Sequence, residues 1–145
     1  MNDVTTEPRG CNVQEEEPGD GAEDRASRSL DGGRTRCRVA VVVPNHNHAA
    51  FLQDCLDGIA GQTRAPEEVI VVDDASTDHS LEVLEGARDS LPQLRIVRQP
   101  ERRGVNPTIN RALAEVSSDL VVITAADDRL LPVFLERATT GRRPQ

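Results

Sequence analysis

Two pairs of adjacent aspartates are the side chains in this sequence best suited to chemistry. Asp73 and Asp74 follow one apolar run, and Asp127 and Asp128 follow another. Clustered carboxylates repel one another, and a divalent cation relieves that repulsion. Ligands that are all oxygen favour a hard ion, Mg²⁺ or Mn²⁺, which can complete its shell with water and a diphosphate. The plainer alternative is that each aspartate only caps the helix that follows it.

The runs that precede the aspartates are typical of buried strands. Residues 39–43 and 69–72 are almost all β-branched and show no polar alternation, which predicts strands covered on both faces. Residues 120–124 make a further strand. Residues 94–97 lie between two prolines and predict a shorter strand at the edge of the sheet.

Segments with helical spacing lie between these strands. Apolar residues three and four apart predict a helix over residues 49–60, and similar spacing predicts a second helix as far as Leu91. Asn106 and Pro107 are the residue types of an N-cap and a first helical position, so they predict the start of a third helix. Pro132 begins a short fourth helix.

Strands and helices that alternate with short connections predict an α/β fold. We expect an open, mostly parallel sheet with helices on both faces. The carboxyl ends of parallel strands lie along one edge, where ligands bind in open α/β sheets. Both aspartate pairs should therefore converge there.

The overall composition excludes several classes of function. The chain has 145 residues and 37% hydrophobic content, enough for one small domain. Its net charge of −8, without a basic stripe, argues against a nucleic-acid partner. All 17 basic residues are Arg. The absence of Lys excludes a Schiff-base mechanism and a lysine-containing phosphate-binding loop.

The three cysteines indicate neither a disulfide framework nor a zinc site. Cys11, Cys37 and Cys55 are widely spaced and odd in number. Cys55 lies on the apolar stripe of the first helix, so we expect a small core residue. The sequence has no apolar run of membrane-spanning length and no signal-peptide pattern. We expect a cytoplasmic protein, and peripheral association with a membrane stays open.

The composition also changes along the chain. Residues 1–36 are rich in Gly, Glu, Asp, Ser and Arg and lack hydrophobic periodicity, which predicts a disordered acidic tail. An acidic regulatory arm is the less favoured alternative. We expect the folded domain over residues 37–138 and a second tail over residues 139–145.

Four segments resemble successive motifs of the family 2 glycosyltransferases, which have the GT-A fold. They are VVVPNHN at 41–47, VVDDASTD at 71–78, GVNPTIN at 104–110 and VVITAADD at 121–128. Their order and spacing match the family over residues 38–138. The resemblance implies a UDP- or GDP-linked sugar donor, a Mg²⁺ or Mn²⁺ ion, and inverting transfer to a saccharide, lipid or protein acceptor.

The same resemblance implies roles for individual residues. The loop after the first strand would contact the base and ribose through Pro44, Asn45, His46 and Asn47. An acidic residue hydrogen-bonds the base at the position of Asp74, with Asp73 beside it. Asn110, in the third motif, would contact the donor. Asp127 and Asp128 occupy the DxD region, which contacts the ribose and binds the metal at the diphosphate, so Asp127 would contact the donor and both would bind the metal.

The sequence departs from the family at two motif positions. Ala125 stands where the family often has the first Asp of the DxD region, and Ile109 stands where an Arg often precedes Asn110. His46 and His48 form an HxH pair, which we interpret as loop or phosphate contacts rather than metal ligands.

Length is the largest departure from the family. Family members continue with the acceptor site and a general base, which we expect beyond Gln145. We therefore expect the donor-binding half of an enzyme, as a fragment or a truncated product. In the GT-A arrangement the fourth strand lies beside the first, so its outer edge should be open here and favour self-association.

Three other classes of protein compete with this assignment. A non-catalytic nucleotide-binding module, or an inactive truncated fragment, is the main alternative. A receiver domain is disfavoured because Pro44 and Asn45, rather than an acidic pair, follow the first strand and Lys is absent. A Rossmann dehydrogenase is disfavoured because that turn lacks G-x-G-x-x-G.

Overall fold

The computed structural model describes residues 30–31 and 34–140. The chain divides into two units, residues 1–36 and residues 37–145. In the first unit, Leu30–Asp31 and Arg34–Thr35 pair as two short antiparallel strands. The rest of the expected disordered tail lies outside the described residues, so the tail stays a prediction.

The second unit is built on a four-stranded sheet, whose strands are labelled here in chain order. They are β1 (Val39–Asn45), β2 (Glu68–Asp73), β3 (Leu94–Arg98) and β4 (Leu120–Ile123). Their spatial order is β3-β2-β1-β4, and every neighbouring pair is parallel. The predicted α/β fold, the edge position of the third strand and the place of the fourth beside the first are confirmed.

Four helices connect or follow these strands. They are α1 (Ala49–Ala60), α2 (Ser80–Gly86), α3 (Val105–Leu113) and α4 (Phe134–Thr140). The bounds of α1 are the predicted ones. The end of α4 is Thr140, so the helix passes the expected domain boundary at residue 138, and residues 141–145 lie outside the described part of the chain.

The hydrophobic core lies on both faces of the sheet. Val41 of β1 and Val71 of β2 point into a larger cluster with α1, α2 and α4, whereas Val42 and Ile70 point into a smaller one with α3. All four valine and isoleucine side chains are fully buried. Unalternated β-branched runs therefore predicted these two central strands correctly, because each face of the sheet is covered.

The second and third helices differ from the prediction. α2 ends at Gly86 and is followed by a 3-10 turn over Ala87–Asp89, so regular α-helix does not continue to Leu91. α3 is capped by Gly104 at φ 88, so Asn106 is not the N-cap. Pro107 is the third helical residue, where its missing N–H costs nothing because first-turn donors have no partner within the helix.

The edge strand β4 exposes two apolar side chains. Val121 and Ile123 of β4 are 39% and 49% exposed, while Leu120 and Val122 pack against the larger core cluster. β4 is bonded to β1 alone among the described strands. The predicted open apolar edge of this strand is therefore present.

None of the helices in the described part of the chain is long and apolar enough to cross a membrane.

Candidate functional site

An open cleft of about 150 Å³ lies at the carboxyl ends of the strands. Five of the predicted site residues line it: Pro44, Asn45, His46, Asp74 and Asp127. The other lining residues include His48 and Arg102, whose types suit contacts with a phosphate, and five residues that the sequence did not indicate: Gly104, Val105, Thr108, Ala125 and Ala126. The convergence predicted for this edge therefore holds for one aspartate from each pair.

Asp73 is a buried anchor between the first two strands. Its Oδ1 accepts hydrogen bonds from Nδ2 of Asn45, at 2.9 Å, and from the hydroxyl of Ser76, while Oδ2 accepts from the backbone N–H of Ser76 at 3.1 Å. The residue is 1% exposed and does not line the cleft. The chain itself therefore satisfies much of the hydrogen-bonding capacity of this carboxylate.

Asp74 fixes the loop that precedes α3. Its Oδ1 accepts from the N–H of Arg103 at 2.7 Å and from Nε2 of Gln99 at 3.1 Å, and its Oδ2 accepts from the N–H of Gly104 at 2.8 Å. A carboxylate has about four acceptor positions, so these three bonds leave one for a ligand. The bond to Gly104 holds this residue at the N-cap of α3. The sequence pattern did not predict that position for it.

Asn47 joins the loop after β1 to the loop after β2. Its Oδ1 accepts from the N–H of Thr77 at 2.7 Å, and its own N–H donates to the hydroxyl of Ser76 at 3.0 Å. Asn47 has φ 55, in the left-handed region, which Asn tolerates better than most residues. It does not line the cleft, so its described contacts hold two loops together.

Asp78 stabilises the starts of two helices. Its Oδ2 accepts from the N–H of Ala49, the first residue of α1, and its Oδ1 accepts from the N–H of Ser80, the first residue of α2, each at 2.9 Å. The N-cap residues His48 and His79 make no side-chain capping bond. Burial disfavours the charged form of Asp78, but the hydrogen bonds from Ser80 and Ala49 outweigh it and lower the pKa of the carboxyl.

The two histidines of the HxH pair have different surroundings in the cleft. His46 donates from Nδ1 to the backbone oxygen of Asp74 at 2.7 Å. His48 has a buried Nδ1 without a hydrogen-bond partner among the described residues. Oδ1 of Asn45 is also buried and has no partner among them. Unpaired buried polar atoms are costly and rare in native proteins, and a functional role is one explanation for those that are kept.

The acidic turn, residues 125–128, follows β4. It is closed by a hydrogen bond from the N–H of Asp128 to the oxygen of Ala125 at 3.1 Å, and the thiol of Cys55 donates to that same oxygen at 3.5 Å. Burial, followed by the charges of Asp128 and Asp127, raises the pKa of Cys55 to about 11. Cys55 is fully buried, which confirms its expected place in the core.

Asp127 and Asp128 fit a hard divalent cation in part. Both are exposed, and neither makes a side-chain hydrogen bond or ion pair with any residue that the structure describes. Across residues 30–31 and 34–140, no group of three or more His, Cys, Asp or Glu is arranged to hold a metal. Two carboxylates suit an ion such as Mg²⁺, which commonly takes its remaining ligands from water and phosphate.

Asn110 does not reach the cleft, although the third motif predicted it there. It is exposed on α3, and the residues of that helix that line the cleft are Val105 and Thr108, one turn earlier. Arg102, just before the helix, also lines the cleft and provides a positive charge beside it. The i, i+3 spacing of Val105 and Thr108 is the sequence signal that places both on one face.

Comparison with known proteins identifies the family to which the sequence is similar. The sequence model described as Glycosyl transferase family 2 matches residues 40–140. Among curated proteins, the uncharacterized glycosyltransferase YibD of Escherichia coli (strain K12) is 26% identical over 103 residues, which are 71% of this chain and 30% of YibD.

Two solved structures of GT-A glycosyltransferases resemble the chain. The mannosyltransferase PcManGT from Pyrobaculum calidifontis, in complex with GDP-Man and Mn²⁺, is 38% identical with a TM-score of 0.63 over 72% of this chain and 31% of its own. S. aureus TarS 1–349, in complex with UDP, is 29% identical with a TM-score of 0.67 over 71% of this chain and 31% of its own. The chain thus spans about a third of the length of these relatives.

Proposed function

The chain belongs to glycosyl transferase family 2 and has the GT-A fold, and we propose that it binds the nucleoside diphosphate of a UDP- or GDP-linked sugar for transfer to an acceptor. The observation that supports this most directly is the cleft at the strand ends. It is lined by Asn45 and His48, which have unpaired buried polar atoms, and by Asp127 of the acidic turn. The proposal is supported by structural neighbours that bind such ligands, PcManGT in complex with GDP-Man and TarS in complex with UDP.

The base and ribose would occupy the side of the cleft formed by Pro44, Asn45 and His46. The unpaired Oδ1 of Asn45 is an acceptor, and the remaining acceptor position on Asp74 is another, so both suit an N–H of the base or a ribose hydroxyl. Arg102 is placed to pair with a phosphate, because a guanidinium binds phosphate oxygens in a bidentate manner. Asp73 and Asn47 would act indirectly, by fixing the two loops.

Asp127 and Asp128 would hold a Mg²⁺ or Mn²⁺ ion. When bound, such an ion supplies positive charge against the diphosphate, both in the donor and as it leaves. Without it, the two exposed carboxylates would repel the phosphates. The requirement for a cation is therefore a consequence of the charge of this turn.

Inversion at the sugar carbon is part of the proposal. It requires an acceptor held in line and a general base to take the proton of its hydroxyl. We assign neither to the described residues, so we propose the chain as a donor-binding unit. A nucleotide-binding module without transfer activity is the second candidate, and the open edge of β4 is proposed to support self-association.

Calorimetric titration of UDP, GDP and CMP, with and without Mn²⁺, tests the proposal. We expect binding of UDP or GDP only with Mn²⁺. The variant Asp128→Ala should lose the effect of Mn²⁺, whereas Asp89→Ala, an exposed aspartate in the 3-10 turn after α2, should retain it. If Mn²⁺ increased nucleotide affinity equally in both variants, the assignment of Asp128 to the cation site would be contradicted. Release of nucleotide from a donor sugar only with an added acceptor would separate an enzyme from a binding module.

A further inference from the structure

One face of α1 supports the acidic turn and the residues that follow it. Cys55 and Gly58 are three residues apart and lie on one side of the helix, and Gln62, two residues after its end, donates from Nε2 to the oxygen of Gly58. Cys55 contacts Ala125 through its thiol, as described above. The other two residues contact the segment 129–131, which directly follows Asp128.

Gln62 binds this segment with its whole side-chain amide. Its Nε2 donates to the oxygen of Leu131 at 2.7 Å and to the oxygen of Gly58 at 3.0 Å, and its Oε1 accepts from the N–H of Leu135 at 2.9 Å. The residue is 8% exposed. A buried amide with both hydrogens and its oxygen engaged holds one geometry, because each broken bond would leave a buried polar group unpaired.

Gly58 allows the same segment to approach the helix closely. A Cβ at this position would lie 3.1 Å from the backbone nitrogen and 3.2 Å from the backbone oxygen of Leu130, and 2.9 Å from Cγ of Arg129. Backbone atoms cannot move aside as a flexible side chain can. Any larger residue would therefore displace the chain two residues after Asp128.

We propose that Gln62 is a positioning residue for the cation and diphosphate site, and that Gly58 provides the close contact that this positioning needs. The inference rests on the proposed function. Gln62 fixes Leu131 and Leu135, and through them the direction in which Asp127 and Asp128 leave β4. It touches neither carboxylate, so its effect on ligand binding is transmitted by the backbone of residues 129–131.

The sharpest variant is Gln62→Glu. At neutral pH a glutamate can still accept from the N–H of Leu135, but its second oxygen faces the oxygens of Leu131 and Gly58 and repels them. The matched control is Gln93→Glu, because Gln93 also donates from Nε2 to a backbone oxygen, that of Pro66 at 3.3 Å, and does not line the cleft.

Two measurements on the full chain test the proposal at about pH 7.5, where a glutamate is charged. Hydrogen exchange should be faster at residues 126–131 in Gln62→Glu than in the wild type and in Gln93→Glu. The affinity for UDP with Mn²⁺, and for GDP in parallel, should fall by about 10- to 100-fold, as for other residues that orient metal ligands. The affinity for uridine or guanosine should not change.

Lowering the pH gives a second readout, which tests whether the negative charge of the new glutamate causes the loss of affinity. Two facing carbonyl oxygens favour the protonated form of the new glutamate, so its pKa should be raised. Towards about pH 5 the carboxyl should protonate and donate to Leu131, which restores one of the lost bonds. The ratio of wild-type to Gln62→Glu affinity for the diphosphate should therefore shrink as the pH falls.

Wild-type exchange at residues 126–131 in Gln62→Glu would overturn the inference, and so would an equal loss of affinity for nucleoside and diphosphate. If Gln62→Glu does not fold, Gly58→Ala answers the same question, since it should speed exchange at the same residues and weaken diphosphate binding. A wild-type chain that shows no Mn²⁺-dependent binding would refute the proposed function and the ligand role of Gln62. The exchange data alone would then report whether Gln62 holds the turn.

Discussion

Asn45 and Asp73 are opposite one another at the carboxyl ends of β1 and β2, and Nδ2 of Asn45 donates to Oδ1 of Asp73 at 2.9 Å. Both residues are 1% exposed. This buried pair ties together the two strands from which the cleft loops emerge. The hydrogen bond between them holds the two strand ends together, and Oδ1 of Asn45 has no partner among the described residues, so it stays available for the proposed contact with the nucleotide.

The first prediction concerns this pair. In Asp73→Asn, the new NH₂ group would face donors on Asn45 or Ser76, so at least one buried donor loses its acceptor. We expect the free energy of unfolding in urea to fall by about 1–3 kcal/mol. The same change at the exposed Asp89 should have little effect. A stability equal to that of the wild type would contradict the structural role of Asp73.

A second prediction concerns Asp74 and the loop before α3. Removing the carboxylate in Asp74→Ala leaves the N–H groups of Arg103 and Gly104 and the amide of Gln99 without their acceptor. We expect faster hydrogen exchange at residues 99–104 and weaker binding of nucleosides, because Arg102 and Gly104 line the cleft. Nucleoside affinity that falls without any change in loop exchange would mean that Asp74 acts on the base alone.

The pH dependence of stability should have an identifiable source at the opposite end of the sheet. Burial disfavours the charged form of Glu68, but hydrogen bonds from Ser118 and Ser117, with the nearby charge of Arg38, outweigh it and lower the pKa from 4.5. A carboxyl whose pKa is lowered by folding stabilises the protein above its unfolded pKa. That stabilisation is lost as the pH falls from about 4.5 through the folded pKa.

Replacing Glu68 tests that assignment. Gln accepts fewer hydrogen bonds than a carboxylate and has no charge for Arg38, so Glu68→Gln should be less stable at pH 7 by about 1–3 kcal/mol. The difference from the wild type should shrink as the pH falls below about 4.5, because Glu68 then protonates in the unfolded chain first and in the folded protein only at lower pH. Urea unfolding from pH 7 to pH 3 measures both effects, and a difference that stays constant would exclude Glu68 as the source.

The sequence predicted the parts of this fold that follow from periodicity. The β-branched runs in β1 and β2 and the apolar spacing in α1 depend on which faces are buried, and a linear pattern records this directly. The predicted start of α3 was wrong because the observed start depends on Asp74, some 30 residues earlier. Its carboxylate accepts hydrogen bonds from the N–H groups of Arg103 and Gly104.

The candidate site was predictable in position but not in detail. Strand ends converge at one edge, so residue types sufficed to place Asp74 and Asp127 there. Whether an aspartate is free or already bonded depends on neighbours distant in sequence, as the pairing of Asp73 with Asn45 shows. Gln62 was missed because a lone glutamine after a helix forms no pattern, and its importance lies entirely in its three partners.

The last prediction concerns the exposed edge of β4. Val121 and Ile123 present apolar surface beside backbone groups that β1 does not pair, and such an edge can add strands from another chain. We expect dimers or larger species of the isolated chain in size-exclusion chromatography with light scattering. An arginine on this edge should prevent association by adding charge, so Val121→Arg should be monomeric. Phe51→Arg, a similar change at a 55% exposed side chain on α1, should associate as the wild type does. A monomeric wild type, or equal association by both variants, would show that the edge of β4 is not the contact surface.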